Sequence, residues 1–148
     1  IYKAVLLIGK PGAGKSDTAL RLIELGGVLV ADDQVDLQIN DGVLTAHPPA
    51  AIEGLLEIRG VGIVTLPFCS ASPVQLVVEL VPAEQVERLP EPHFYEIAGQ
   101  MIPLLKLCAF DASTPVKIKT VLNRPELFFL EKNKKKRISI LYRKRIRR

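Results

Sequence analysis

The chain has 148 residues, of which 48% are hydrophobic and 24% are charged. This composition is typical of a globular domain and excludes a largely disordered protein. The formal charge of +4 is unevenly distributed: residues 132–148 contain ten basic side chains and no acidic one, whereas residues 1–131 contain ten basic and sixteen acidic side chains. We therefore expect an acidic domain over residues 1–131, followed by an atypical or disordered basic tail over residues 132–148.

Apolar runs and cysteines indicate the compartment. The longest apolar runs, such as residues 4–8 and 26–31, are shorter than the roughly 18 residues that a membrane span needs. The two cysteines, Cys69 and Cys108, lie far apart in apolar surroundings, which is typical of reduced thiols in a protein core. The sequence thus predicts a cytoplasmic protein without a membrane span.

The first predicted elements form a strand–helix–strand unit. An apolar run over residues 4–8 predicts a buried strand, and residues 15–25 predict a helix that two glycines terminate. The next apolar run, residues 28–31, predicts a second strand that ends at two aspartates. A strand, a glycine-rich loop, a helix and another strand together predict a βαβ unit.

The remaining elements predict a mixed sheet. Leu37 and Ile39 alternate with polar residues before an Asn-Asp-Gly turn at residues 40–42, which predicts a hairpin. Further strand candidates are residues 63–64, 74–81 and 102–110. A second helix is predicted over residues 113–122, because hydroxyl residues and a proline open it and Asn-Arg-Pro ends it. The predicted fold class is α/β with a mixed sheet.

A glycine-rich loop connects the first strand to the first helix. It matches the phosphate-loop pattern G-x-x-x-x-G-K-[ST] and consists of Gly9, Lys10, Pro11, Gly12, Ala13, Gly14, Lys15 and Ser16. The glycines allow successive backbone N–H groups to turn toward phosphate oxygens, and the helix N-terminus adds partial positive charge. We predict that Lys15 contacts the terminal phosphates of a nucleotide and that the Ser16 hydroxyl ligates Mg²⁺.

Two adjacent acids, Asp32 and Asp33, follow the second predicted strand. A carboxylate at this place in a phosphate-loop protein approaches the magnesium ion. Both carboxylates can enter one site, because the alternation of side chains relaxes at a strand end. One of them is then available to accept a proton during catalysis.

A further motif resembles a known family. Residues 56–63 resemble the E-I-R-G-x-G-I signature of the HPr kinase/phosphorylase family. The glycine-rich loop and V-A-D-D at residues 30–33 agree with that family in order and spacing, and E-R-L at residues 87–89 resembles its D-R-[LV] element. The resemblance extends over about residues 4–122. The signature loop consists of Glu57, Ile58, Arg59, Gly60, Val61, Gly62 and Ile63.

The resemblance implies a protein-serine kinase whose nucleotide fold is similar to that of phosphoenolpyruvate carboxykinase. It would use ATP and Mg²⁺ to phosphorylate a serine of the small carrier protein HPr, in regulation of the bacterial phosphotransferase system. The same site would catalyse the reverse phosphorolysis with inorganic phosphate. The family also suggests a ring-like hexamer.

The resemblance implies roles for individual residues as well. Lys15 and the loop amides would hold the phosphates, and Ser16 and Glu57 would ligate the metal. One carboxylate would take the proton of the substrate serine; we favour Asp33, with Asp32 as the alternative. Arg88 would stabilise charge on the transferred phosphoryl group.

The chain departs from the family pattern in two respects. It resembles the short form without an N-terminal domain, and it does not show the histidine that usually precedes the phosphate loop; His47 and His93 lie downstream and do not replace it. The family's later P-G-R-N element is Ser-Thr-Pro-Val-Lys at residues 113–117. We therefore expect a weakened phosphorylase activity.

Two other classes of protein remain open at this point. A small-molecule kinase would need a lid rich in arginines, whereas residues 1–131 contain four scattered arginines. A nucleotide-dependent switch or nucleic-acid-binding module would use the basic tail, and steep salt dependence that is lost on deleting residues 132–148 would identify it. Nucleic acid is not the expected partner, because the basic excess is confined to the tail.

Overall fold

A computed structural model describes residues 3–124, and the predicted tail at residues 132–148 lies outside the described residues. Short 3-10 turns cover Ala50–Ile52 and Ala83–Gln85. None of the helices in residues 3–124 is long and apolar enough to cross a membrane. The helices and strands of this part of the chain are β1 (Ala4–Ile8), α1 (Lys15–Glu24), β2 (Asp36–Asn40), β3 (Val43–His47), β4 (Leu55–Ile58), β5 (Gly62–Thr65), β6 (Ser72–Leu80), β7 (His93–Ile97), β8 (Gln100–Leu107) and α2 (Thr114–Asn123).

Six strands form a mixed sheet around β6. This strand is parallel to β1 and to β8, and its first residues are antiparallel to β3. The hairpins β2–β3 and β7–β8 complete the sheet, while β4 and β5 form a separate two-stranded hairpin. The predicted α/β class with a mixed sheet is confirmed.

Both faces of the central strands are buried. On one face, Val5 and Leu7 pack in a core that includes Ile118 of α2. On the other face, Leu6 packs in a second core that includes Leu44 of β3. This division follows from the alternation of side chains along a strand. The two helices are thereby fixed on one side of the sheet, so the start of α1 has a defined position at the sheet edge.

The βαβ unit predicted for the N-terminus is wrong. Residues 29–31 are buried and Val28 is half-buried, but residues 28–31 form no strand. Within this segment Leu29 alone makes a bridge, to Phe68, and its carbonyl accepts a 2.7 Å hydrogen bond from the N–H of Cys69. The parallel partner of β1 is β6 instead. A short apolar run indicates burial but does not distinguish a strand from a buried irregular segment.

The hairpin predicted around residues 40–42 is confirmed. Asp41 and Gly42 have φ angles of +51° and +77°, as a two-residue type I′ turn requires. A second hairpin, β7–β8, is absent from the sequence prediction; its turn residues Ala98 and Gly99 also have positive φ angles, of +50° and +79°. Strand β7 lies at the edge of the sheet and is largely exposed, so its sequence lacks a clear apolar pattern.

The parallel strands β1, β6 and β8 end at the same edge of the sheet. Strand β8 ends at Leu107, earlier than the predicted end at residue 110. Three connections therefore leave this edge: the glycine loop (residues 9–16) after β1, residues 81–92 after β6, and the β8–α2 loop (residues 108–113). Ligands of open α/β sheets bind beyond the carboxyl ends of parallel strands, so this edge is where a site is expected.

Candidate active site

The glycine loop requires glycine where it enters α1. Gly14 precedes the helix with a φ of +94°, a region that favours glycine. A β-carbon at this position would lie 2.5 Å from the β-carbon of Ala109 in the β8–α2 loop. The loop is therefore packed directly against the connection that follows β8, and a larger residue at position 14 would force the two apart.

The side chain of Lys15 lies over the glycine loop. Its ammonium group donates hydrogen bonds to the carbonyl oxygens of Gly9, at 2.8 Å, and Lys10, at 3.0 Å. The N-terminus of α1 adds partial positive charge at the same place. The loop thus presents a cation and a helix N-terminus together, which suits an anionic group such as a phosphate.

Asp32 joins three segments that are distant in sequence. It is nearly buried, with 9% of its surface exposed. One carboxylate oxygen accepts a 3.0 Å hydrogen bond from the Ser16 hydroxyl, and the other accepts a 3.1 Å hydrogen bond from the backbone N–H of Glu57. The start of α1 and the strand β4 are therefore both attached to this one carboxylate.

Asp33 has a different environment from its neighbour. It is exposed and lines a cleft beside the glycine loop. Its φ angle is +62°, and the N–H of Gln34 donates a 2.7 Å hydrogen bond to the carbonyl of Asp32 across it. A hydrogen bond between residues i and i+2 around a positive φ is the rare and strained form of the γ-turn. Backbone strain of this kind is concentrated at functional sites.

The cleft has a volume of about 580 Å³ and is formed by the glycine loop, the first turns of α1, Asp33, β4 and the β8–α2 loop. Three of its lining residues were not predicted: Asp17, Leu20 and Phe110. The predicted site residues that line it are Pro11, Gly12, Gly14, Lys15, Ser16, Asp33, Glu57, Ile58 and Arg59. The structure thus brings the three predicted motifs to one place.

Other predicted residues lie outside the lining of the cleft. Asp32 is behind it, in contact with Ser16, and Gly9, Lys10 and Ala13 form the part of the glycine loop that does not line it. The final residues of the signature, Gly60, Val61, Gly62 and Ile63, also do not line it.

The signature residues form the β4–β5 hairpin. Ile58 pairs with Gly62, and the N–H of Val61 donates to the carbonyl of Ile58 across the turn. Gly60 and Gly62 have φ angles of +86° and +129°, so glycine serves the turn conformation here. Neither glycine lines the cleft.

Arg88 is not brought to the cleft. It is exposed in the connection that follows β6, which leaves the same sheet edge as the glycine loop. Arg59 at the β4–β5 turn lines the cleft instead. His93 is exposed on β7, and His47 contacts the carbonyl of Ser70. Neither histidine lines the cleft, in agreement with the sequence analysis.

Phe110 is the lining residue that the sequence analysis missed most clearly. Its apolar neighbours at residues 102–110 predicted a strand, and a strand residue would have been assigned to the core. The signal that identifies it is its position just beyond the carboxyl end of a strand parallel to β1, since loops at that edge surround the ligand site.

The charges of the cleft favour a bound cation together with an anionic ligand. Two cations, Lys15 and Arg59, face three carboxylates, those of Asp17, Asp33 and Glu57. Asp17 forms an ion pair with Arg21 at 3.1 Å, so part of this negative charge is already balanced. Lys15 and Arg59 match the other two carboxylates, so a divalent cation bound with a polyphosphate would offset the charge that the polyphosphate adds.

The residues near Ser16 fit Mg²⁺ bound together with phosphates. Magnesium takes oxygen ligands and is usually held by one or two carboxylates and by substrate phosphates. The Ser16 hydroxyl touches Asp32, and Glu57 lines the same cleft. Within residues 3–124 no group of three His, Cys, Asp or Glu side chains is arranged to hold a metal by itself. The protein would therefore supply only part of the ligand set.

Comparison with known proteins gives matches of two kinds, and the first is to sequences. Residues 2–114 match the family model described as HPr Serine kinase C-terminal domain. A relative from Clostridium novyi named HPr kinase/phosphorylase is 51% identical over 63 residues, and one from Geobacillus sp. with the same name is 54% identical over 63 residues. These alignments cover 43% and 42% of this chain and 20% of each relative. The chain thus spans about a fifth of the length of the curated relatives it matches.

A solved structure also matches. The structure of the Hpr(Ser) kinase/phosphatase from Coxiella burnetii gives a TM-score of 0.72 with 28% sequence identity, over 83% of this chain and 82% of that chain. Fold and site define the class of this protein as a mixed α/β domain with a glycine-rich loop and an acidic cleft at the carboxyl edge of its sheet. The chain belongs to the HPr serine kinase C-terminal domain family, whose model matches well over half of it.

Proposed function

We propose that this chain is the catalytic domain of an ATP- and Mg²⁺-dependent protein kinase that phosphorylates a serine of an HPr-type phosphocarrier protein. One observation carries the proposal: the glycine loop, Asp33 and the β4 strand with Glu57 and Arg59 converge on one cleft. Family membership supports the choice of substrate, because the relatives that the chain matches are named HPr kinase/phosphorylase.

The glycine loop would bind the phosphates of ATP. Its backbone N–H groups and the N-terminus of α1 favour negative charge. Lys15 would exchange its contacts with the loop carbonyls for the terminal phosphates. Arg59 lines the cleft and is suited to the charge that develops on the transferred group, because a guanidinium matches phosphate geometry.

Ser16, with Glu57 and Asp32 nearby, would hold the magnesium ion. When bound, Mg²⁺ neutralises charge on the phosphates and orients them for transfer. Asp32 fixes the Ser16 hydroxyl on one side and the backbone of Glu57 on the other. Its contribution is therefore to keep two metal ligands at a constant separation.

Asp33 is the proposed general base. The substrate serine oxygen forms a bond to the γ-phosphorus while the bond to the bridging oxygen of ADP breaks, and the hydroxyl proton passes to Asp33. Asp33 is exposed and lines the cleft, where a substrate serine can reach it, whereas Asp32 is 9% exposed and does not line the cleft. A positioned carboxylate contributes on the order of 10²- to 10⁴-fold in rate.

The same groups would serve the reverse reaction. An oxygen of inorganic phosphate would form a bond to the phosphorus of phosphoserine while the bond from that phosphorus to the serine oxygen breaks. Protonated Asp33 would give its proton to the serine oxygen, and the pyrophosphate formed would be released. Residues 113–117, which replace the P-G-R-N element, form the start of α2. We propose that phosphorolysis is slower than the forward reaction, because residues 113–117 lack the glycine and the arginine of that element.

Three broader proposals follow from family membership. The nucleotide fold would be similar to that of phosphoenolpyruvate carboxykinase, and the protein would act in the cytoplasm. A homo-oligomer, for which the family suggests a hexamer, would allow Arg88 to stabilise the transferred group from a position outside the cleft of its own subunit.

The test is transfer of labelled phosphate from ATP to an HPr-type carrier in the presence of Mg²⁺. We expect transfer by the unaltered chain, loss of transfer in Lys15→Ala, and a rate lower by about 10²- to 10⁴-fold in Asp33→Asn. The matched controls are Asp41→Asn, which changes another exposed aspartate with positive φ, and Lys117→Ala on the exposed surface of α2. Both should retain full transfer. The proposal is refuted if the carrier is not labelled, or if labelling survives Lys15→Ala.

A further inference from the structure

Phe110 is an exposed aromatic residue at the cleft. It lines the same cleft as Lys15 and Ser16, and 75% of its surface is exposed. A single exposed apolar residue on a protein surface needs no explanation. An exposed aromatic ring that lines a cleft together with five charged side chains, those of Lys15, Asp17, Asp33, Glu57 and Arg59, has a more specific use.

The backbone that carries Phe110 is firmly held. Arg21 of α1 donates hydrogen bonds to the carbonyl oxygens of Ala109 and Asp111, on either side of it. Thr114 donates to the carbonyl of Cys108 through its hydroxyl and to that of Asp111 through its backbone N–H. Ala109 itself is 1% exposed. The backbone that carries the ring is therefore held in place, while the ring itself is open to solvent.

The ring also lies close to the glycine loop. A β-carbon built on Gly14 would lie 3.6 Å from both Cε1 and Cζ of Phe110. Gly14 immediately precedes Lys15, which lies over the loop where phosphates would bind. Glu57 and Asp33 line the cleft together with Ser16. Phe110 borders the glycine loop at Gly14, and the carboxylate of Asp17 on this side of the cleft is paired with Arg21.

We propose that Phe110 is the base-binding residue of this site and stacks on the purine ring of ATP. The inference rests on the proposed function, because it requires the phosphates to occupy the glycine loop. Aromatic side chains bind bases through their π faces without needing hydrogen-bond partners. The charged lining residues bind phosphate and metal, so Phe110 adds an apolar contact that discriminates a nucleotide from inorganic polyphosphate.

The experiment measures binding of Mg-ATP and of Mg-tripolyphosphate to the unaltered chain and to Phe110 variants. Phe110→Ala should weaken ATP by about 5- to 100-fold, the range expected for loss of one base–aromatic stack, and leave tripolyphosphate affinity unchanged. Phe110→Leu keeps apolar bulk without a π face and should weaken ATP as well. The control is Met101→Ala, which removes an exposed apolar side chain on β8 outside the cleft lining; it should bind both ligands as the unaltered chain does.

Phe110→Trp supplies a direct signal. The chain contains no tryptophan, so this variant has a single indole, placed at the proposed contact. ATP should bind as tightly as to the unaltered chain and quench its fluorescence, whereas tripolyphosphate should bind without quenching. Equal loss of both ligands in Phe110→Ala, or unchanged ATP affinity, overturns the stacking proposal while the phosphate site stands. If the unaltered chain binds neither ligand, the proposed function fails and the base site fails with it.

Discussion

Substitutions of the adjacent residues Asp32 and Asp33 should differ in their effect on stability: those of Asp32 should destabilise the fold, and Asp33→Asn should mainly lower the transfer rate. Replacing Asp32 with alanine removes two hydrogen bonds to a carboxylate, from the Ser16 hydroxyl and from the N–H of Glu57. A hydrogen bond to a charged group contributes about 1.5–3 kcal/mol. Because water from the cleft replaces part of this loss, we expect Asp32→Ala to lower the free energy of unfolding by about 3 kcal/mol, the lower end of the sum.

Substitutions of Asp33 should behave differently. Its carboxylate is exposed, and asparagine tolerates a positive φ, so Asp33→Asn should change the free energy of unfolding by no more than about 0.5 kcal/mol. Asp33→Ala should cost about 1 kcal/mol more, because alanine at a φ of +62° has no local hydrogen bond to offset the strain. Phosphate transfer should fall strongly in both Asp33 variants.

Urea unfolding of the full chain, followed by circular dichroism, measures these differences. With a denaturant slope of about 1.5 kcal/mol/M, Asp32→Ala should move the midpoint down by about 2 M and Asp33→Asn by less than about 0.4 M. The assignment of roles is wrong if Asp33→Asn destabilises the chain as much as Asp32→Ala does. It is equally wrong if Asp33→Asn leaves the transfer rate intact while Asp32→Asn, which keeps the packing, abolishes it. That second result would make Asp32 the base.

Three further outcomes test the fold and the cleft. Gly14→Ala, with a φ of +94° and a neighbouring β-carbon at 2.5 Å, should cost at least about 2 kcal/mol in urea unfolding, whereas Gly12→Ala, with a φ of +80° and open space, should cost about 1 kcal/mol. Arg59→Gln should slow phosphate transfer more than Arg88→Gln, because Arg59 lines the cleft of its own subunit and Arg88 does not; equal losses would mean that Arg88, acting from another subunit, contributes as much as Arg59. Ile118→Ala, at a fully buried position, should lower the free energy of unfolding by about 2–5 kcal/mol. A loss below about 1 kcal/mol would contradict its place in the core.

Local signals predicted two backbone features correctly, the glycine loop before α1 and the turn of the β2–β3 hairpin. The glycine loop is specified by backbone conformation, because glycine at position 14 has a positive φ and a close neighbour. The Asp41-Gly42 turn is specified in the same way. Each of these signals depends on a few consecutive residues, so each can be read without knowing which strands pair.

The pairing of strands that are distant in the chain could not be predicted from the sequence. Residues 28–31 are as apolar as β1, but they form no strand, and the parallel partner of β1 is β6, which is distant in the sequence. The end of β8 was placed three residues late for a related reason. Residues 108–110 are apolar, two of them are buried against the helices, and only Phe110 faces the cleft. An apolar run indicates that residues are buried, but it does not indicate at which residue the hydrogen bonds between neighbouring strands end.

The contrast between the two aspartates shows what the tertiary structure adds to a motif. As a dipeptide they are equivalent, and alternation along a strand would place them on opposite faces. The γ-turn at Asp33 replaces that alternation: the chain reverses at a positive φ immediately after Asp32 has been fixed by two hydrogen bonds. One carboxylate is thereby held in contact with Ser16, while the next residue is exposed and lines the cleft. The strain at Asp33 is maintained because the preceding residue, Asp32, is held by two hydrogen bonds. A substitution that releases Asp32 should therefore also move Asp33. Asp32→Ala should lose both the positioning of Ser16 and the proposed base.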